Sequence, residues 1–192
     1  MSEREKMLAG ELYRASDPDL VAGRNNARRL TRLYNATNEE DEAARANLLR
    51  EMLGVVGQSP YIEPPFRCDY GANIFAGDRL YINFGCVILD CAAVHFGDDV
   101  KLGPSVQIYT AHHPLDPALR TAGPELAAPI RIGNRVWIGG GAILCPGVTI
   151  GDDSVIGAGS VVTRSIPAGV IAVGNPCRVL RELPTDGNAP TR

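Results

Sequence analysis

The sequence predicts a mainly β protein: a parallel β-helix, with a small helical region ahead of it and one loop inserted into it. Three observations carry that expectation. First, Ile132, Ile138, Leu144, Ile150, Ile156 and Val162 recur every six residues, and Phe96, Leu102 and Ile108 hold the same frame upstream. Two residues before each stands a second apolar or small side chain, from Val94, Val100 and Val106 to Val148, Ser154 and Ser160. Two inward positions separated by one outward residue, repeated with period six, match neither a 3.6-residue helix nor a long alternating strand. They match a short strand and a turn, repeated. Second, charges are dense before residue 54 and thin out after residue 60. Third, the chain is 45% apolar but only 6% aromatic, with 21 Gly and 14 Pro among 192 residues. That composition suits many turns around stacked aliphatic rows.

Residues 1–57 read as helical. Asp17 before Pro18 looks like an N-cap and first helical residue, with Leu20, Ala27, Leu30 and Tyr34 along one face. Thr37 with Glu40 has the spacing of a capping box, Leu48, Met52 and Leu53 follow, and Gly54 closes the segment. Residues 58–183 carry the repeat. Three strand–turn units make one triangular coil of 18 residues, and stacked coils pair as parallel strands. Glycine after the large apolar residue, as at Gly133, Gly139, Gly151 and Gly157, is expected to supply the bend. Between Ile108 and Ile132 the frame is kept but the signal is lost, so residues 112–129 form a loop. Residues 184–192 read as a flexible tail. His95 stands one such coil length before His113, which puts both on one outward stripe of neighbouring coils.

Several function classes are excluded at this level. A net charge of −3 gives no electrostatic case for nucleic acid or an anionic membrane surface. The longest stretch free of charged side chains, Val136 to Gly151, has 16 residues with Gly and Pro throughout, short of the roughly 20 that span a bilayer. No secretory signal is visible, and the five cysteines form neither an even set nor a CxxC pair. They read as reduced residues of a cytoplasmic protein. The three histidines are His95, His112 and His113, without the third well-spaced ligand a zinc site needs, so no metal is expected.

The repeat is the signature of the hexapeptide-repeat acyltransferases. The segments EKMLAGELYR, YIEPPFRCDYGANI, YINFGCVILD, QIYTAHHPLDPALR, WIGGGAILCPGVTIGDDSVIGAGSVVTRSIP and GNPCRVLREL resemble the maltose and galactoside O-acetyltransferases, over about residues 5 to 183. The resemblance implies a left-handed β-helix, a homotrimer with sites between subunits, and acetyl transfer from acetyl-CoA to a sugar hydroxyl in a ternary complex. A sugar hydroxyl is a poor nucleophile at neutral pH, and histidine suits the task of taking its proton. By resemblance His113 is that base and Asn83 orients it, an amide oxygen accepting the imidazole N–H. Asp69, Tyr81, Glu125 and Arg24 resemble the acceptor pocket. Asp17 is a further contributor whose other reading is a helix cap. Gly140 and Ala158 line the acetyl-CoA path, with the Gly140 N–H facing the thioester carbonyl. Thr163, Arg164 and Arg181 meet the nucleotide end, where guanidinium suits phosphate.

Two positions bear on the acceptor. Asp90 falls on an inward position, where a carboxylate must be hydrogen-bonded. The galactoside branch has an acidic residue at the next position, and Cys91 here favours a maltose- or glucose-type acceptor. The alternatives are another hydroxyl acceptor (a galactoside, an oligosaccharide signal, an antibiotic) or a non-catalytic β-helix binding protein.

Overall fold

A computed structural model describes residues 1–184; past its first residue, the tail expected at 184–192 lies outside the described residues. Three helices come first: α1 (Glu3–Ala9), α2 (Pro18–Asn35) and α3 (Glu42–Met52). Asp17 caps α2, its side chain accepting from the Asp19 N–H, and Leu20, Ala27, Leu30 and Tyr34 are all buried. Helix α1 falls within the region read as helical, and Ser2 with Glu5 forms a full capping box in front of it, a signal the sequence reading did not single out. The Thr37–Glu40 box does not form. The Thr37 hydroxyl donates to the Tyr34 carbonyl at 2.7 Å and accepts from Arg45 Nε at 2.9 Å, so it closes α2 instead of opening α3. Helix α2 is fastened to the first coil through Tyr34 Oη donating to the Ile62 carbonyl and Asn35 exchanging two bonds with the Phe66 backbone.

The remaining chain winds as a triangular parallel β-helix. Face 1 stacks Val55–Val56, Ile74–Ala76, Val94–Phe96, Ile130–Ile132 and Thr149–Ile150. Face 2 stacks Tyr61–Ile62, Tyr81–Ile82, Lys101–Leu102, Trp137–Ile138, Val155–Ile156 and Val170–Val173, and ends in the antiparallel strand Arg178–Glu182. Face 3 stacks Arg67–Cys68, Val87–Leu89, Gln107–Tyr109, Ile143–Leu144 and Val161–Val162. The six-residue frame points inward as read: Leu102, Ile108, Ile138, Leu144, Ile150, Ile156 and Val162 are all buried. Full burial of such a side chain contributes roughly 1.5–3 kcal/mol. Ser154 and Ser160 are buried too, and their hydroxyls bond the backbone at Pro167 and Gly174.

Two details differ from the 18-residue ideal. The early coils are 20 residues long, since Tyr61 pairs with Tyr81 and Tyr81 with Lys101; only later, from Trp137 to Val155, does the spacing fall to 18. His95 is therefore not on the His113 stripe. It sits on face 1 between Phe75 and Arg131, its ring stacked on Phe75 at 4.6 Å between centroids. Second, the glycine after the large apolar residue does not make the bend. From face 1 to face 2 the left-handed residues are Ser59, Arg79, Asp99, Arg135 and Asp153, with φ of 51 to 61°. A Cβ on Gly97 would instead lie 2.7 Å from the Gly133 carbonyl carbon, so glycine there permits close stacking of coils. Side-chain oxygens of Asp78, Asp98, Asn134 and Asp152 cap this corner, each accepting a backbone N–H from the preceding coil.

Among the described residues no helix is long and apolar enough to cross a membrane.

Candidate active site

The corner from face 3 back to face 1 collects the polar side chains. Asp69, Asp90–Cys91 and Thr110 follow the face 3 strands of successive coils, and the long loop leaves from this same corner. Inside the loop, Ala111–His112 pairs antiparallel with Leu126–Ala127, and the short helix α4 (Pro117–Thr121) is capped by Asp116. His113 follows directly and is exposed. The loop is tied to the N-terminal region where Tyr13 and Glu125 exchange backbone bonds of 3.1 and 2.9 Å.

Arg24, on α2, reaches across this corner. Its guanidinium donates to Tyr70 Oη at 2.6 Å and to the Ala15 carbonyl, and lies 5.7 Å from the Tyr70 ring centroid. Tyr13 Oη donates to Glu125 Oε2 at 2.9 Å, and Cys91 Sγ donates to Asp69 Oδ2 at 3.5 Å. Burial pushes the Asp69 carboxyl above its ordinary range, opposed by the Cys91 hydrogen bond and then by the charges of Arg24 and Arg28. Asp90, fully buried, accepts from the backbone N–H groups of Asp69, Tyr70 and Asn73 and so holds the Asp69 turn in place. Burial pushes its carboxyl up to about 7. Asp69, Glu125 and Arg24 are thus brought to one corner, beneath the loop that carries His113.

The corner from face 2 to face 3 collects the rest. Asn83 follows Tyr81–Ile82, with its Oδ1 accepting from the Phe84 N–H at 2.7 Å. Here Gly141 donates to the Pro104 carbonyl and Gly159 to the Gly140 carbonyl, a ladder of small residues along the coil edge that includes Gly140 and Ala158. The Gly140 N–H donates to no acceptor among the described residues. Tyr81 stands outward on face 2, stacked on Tyr61 at 5.9 Å, and Trp137 lies further along the same column, 56% exposed. Arg181 is exposed on the antiparallel strand at the end of face 2. Thr163 and Arg164 are exposed at the other corner, beyond Val161–Val162.

Within one chain, His113 and Asn83 therefore occupy opposite edges of face 3, and no hydrogen bond joins them among the described residues. Tyr81 is likewise apart from Asp69 and Glu125. The side chain of Asp17 is engaged as the α2 cap. Residue-by-residue reading of the chain missed Tyr13 and Tyr70. Tyr13 lies inside GELYR and Tyr70 inside CDYGANI, yet nothing local marks either hydroxyl as a partner of a residue more than 40 positions away.

A β-helix with an exposed imidazole on an inserted loop and a smooth edge of small residues defines an acyl-transfer scaffold. Comparison with known proteins agrees. Residues 6–57 match the maltose acetyltransferase hexapeptide capping motif, and residues 129–164 match six repeats of the bacterial transferase hexapeptide. Nodulation protein L of Rhizobium meliloti is 54% identical over 178 residues, covering 93% of this chain and 97% of that protein. A maltose O-acetyltransferase from Clostridium difficile 630 superposes with a TM-score of 0.95 at 50% identity, over 96% of this chain and 98% of that one. A galactoside acetyltransferase in complex with coenzyme A superposes with a TM-score of 0.92 at 41% identity, over 96% and 92%. The chain belongs to the hexapeptide-repeat acetyltransferases, in the group of the maltose and galactoside O-acetyltransferases. It is an acetyl-CoA-dependent O-acetyltransferase.

Proposed function

We propose that the acceptor is a maltose- or glucose-type sugar, that His113 is the general base, and that the enzyme works as a homotrimer in the cytoplasm. The observation that carries this reading is the gathering of Asp69, Glu125 and Arg24 at the corner from which the His113 loop departs. Carboxylates and a guanidinium at one lip are what a polyhydroxylated ligand needs: acceptors and donors fixed in direction. The trimer is supported by the division of the site. His113 and Asn83 sit on opposite edges of face 3, so a second copy is needed to set one against the other.

In this mechanism the His113 imidazole takes the proton from the sugar hydroxyl as that oxygen attacks the acetyl carbon. The Asn83 amide of a neighbouring copy holds the other ring nitrogen; its oxygen has a second lone pair beyond the one given to Phe84. The Gly140 N–H donates to the carbonyl oxygen as charge grows there. The carbon–sulfur bond breaks, and the imidazolium returns its proton to the thiolate. The products are a sugar acetate and the free coenzyme thiol. Gly140 and Ala158 receive the pantetheine arm, and Thr163, Arg164 and Arg181 the phosphates.

Thiol release from acetyl-CoA, measured with maltose, glucose, a galactoside and no acceptor, tests this. Release should need a sugar and be fastest with the glucose-type acceptors. His113→Ala should lower turnover by about 10²–10⁴ with the melting temperature unchanged, because the side chain is exposed. Turnover undiminished in that variant removes His113 from the mechanism, and a clear preference for the galactoside overturns the acceptor assignment.

A further inference from the structure

Glu125 and Asp69 stand at the acceptor corner, and each has one side-chain donor among the described residues: Tyr13 for Glu125, Cys91 for Asp69. Those two donors are buried, Tyr13 at 1% exposure and Cys91 at 5%, and they pack in the same hydrophobic cluster. Two donor–acceptor pairs, Tyr13–Glu125 and Cys91–Asp69, thus stand side by side at this corner. The first joins the inserted loop to the segment ahead of α2.

We propose that Tyr13 is a positioning residue for the acceptor, its buried hydroxyl setting where Glu125 stands. The inference rests on the reading of this corner as the sugar site. Physical reasons favour a tyrosine and a thiol here. Two carboxyl groups share this corner, and Glu125 adds to the forces raising that of Asp69. Two such groups repel, and the guanidiniums of Arg24 and Arg28 offset the repulsion without fixing a geometry. A neutral donor with one proton fixes a direction and adds no charge. The tyrosine ring is buried in one cluster with Met7, Leu20, Ala92 and Ala127. Its backbone is bonded to Glu125 on both sides, so main chain and side chain hold the same residue. Burial pushes both the tyrosine hydroxyl and the thiol upward in pKa, which keeps both protonated as donors at neutral pH.

The experiment is steady-state kinetics on the full chain with acetyl-CoA and the best sugar found above, for the parent, Tyr13→Phe, Glu125→Gln and the double variant. Tyr13→Phe should raise the acceptor KM about 10-fold, as loss of one hydrogen bond to a charged group does. The KM for acetyl-CoA should stay within about twofold, an experimental margin around no change in the nucleotide site. The double variant should be no worse than Glu125→Gln alone, because Tyr13 acts through Glu125. Glu125→Asp keeps the charge and shortens the arm, so it breaks the same bond without altering Tyr13. It should give the same selective rise, and it decides the matter if Tyr13→Phe fails to fold. An unchanged acceptor KM, equal rises for both substrates, or additive losses in the double variant would overturn the proposal. A parent enzyme that acetylates no sugar would instead sink the reading of the corner, a result seen before any variant is made.

Discussion

Asp90 shows how much one side chain can decide. A carboxylate at an inward position of an aliphatic repeat is costly unless its oxygens are occupied, and three backbone N–H groups of the preceding turn occupy them. That turn carries Asp69 and Tyr70, so a buried acid shapes the corner where Arg24 and Glu125 also stand, without facing it. Burial still dominates and pushes the carboxyl up to about 7. The folded protein therefore keeps a proton that the unfolded chain releases near pH 4, and stability from this group falls as pH rises from about 4 to about 7. Asp69 acts in the same direction. Asp90→Asn removes the ionisation, so the melting temperature of the variant minus that of the parent should climb across this window. Thermal melts at pH 4.5, 6 and 7.5 check it; a difference that stays flat or declines contradicts the assignment.

Among the elements, the corners of the coil do different jobs with different residues. Where face 1 meets face 2, left-handed non-glycine residues bend the chain and carboxylate or amide oxygens cap it. Where face 2 meets face 3, the later coils carry only small residues and one proline, from Gly103–Pro104–Ser105 to Gly157–Ala158–Gly159. A Cβ on Gly103 would lie 2.5 Å from the Gly140 nitrogen and 2.9 Å from its Cα, against backbone that has nowhere to go. Gly103→Ala should therefore cost about 1–3 kcal/mol, and it should displace the Gly140 N–H with a loss of turnover. Gly141 has a φ of 70° but open space around it, so Gly141→Ala meets only the left-handed penalty of about 1–2 kcal/mol. Denaturant melts of the two variants, with turnover measured in parallel, separate the effects: a turnover loss in both or in neither counts against close packing of the coil edge as the reason for glycine at 103.

At the scale of the molecule, a solenoid needs its ends closed, since each terminal coil lacks a neighbour. Here α2 covers the first coil through Tyr34 and Asn35, α3 packs on the core through Leu49 and Met52, and the strand Arg178–Glu182 turns back antiparallel along the last. The prism between them sets His113 and Asn83 on opposite edges of one face. If the complete site spans two copies, His113→Ala and Asn83→Ala should each be nearly inactive alone. Unfolded together and refolded as mixed trimers, they should regain a measurable share of parental activity, because some sites then receive both intact side chains. Mixing that restores nothing, or a particle of monomer mass in sedimentation, contradicts the trimer.

The hexapeptide frame by itself determined which residues point inward, from Phe96 to Val162, because burial in a repeat is a property of position within the period. It also showed where the repeat stops, at the loop, and the resemblance of its segments to a known family singled out His113, Asn83, Asp69, Glu125 and Arg24 as candidates. The tertiary structure decided what depends on contacts between coils. The 20-residue early turns moved His95 off the His113 stripe. Thr37 went to the end of α2, where the Tyr34 carbonyl lay closer than the next helix. Tyr13 met Glu125 across 112 residues. Pairings of that kind are set by how many residues each coil takes to come round, and no window of sequence shorter than a coil contains that number.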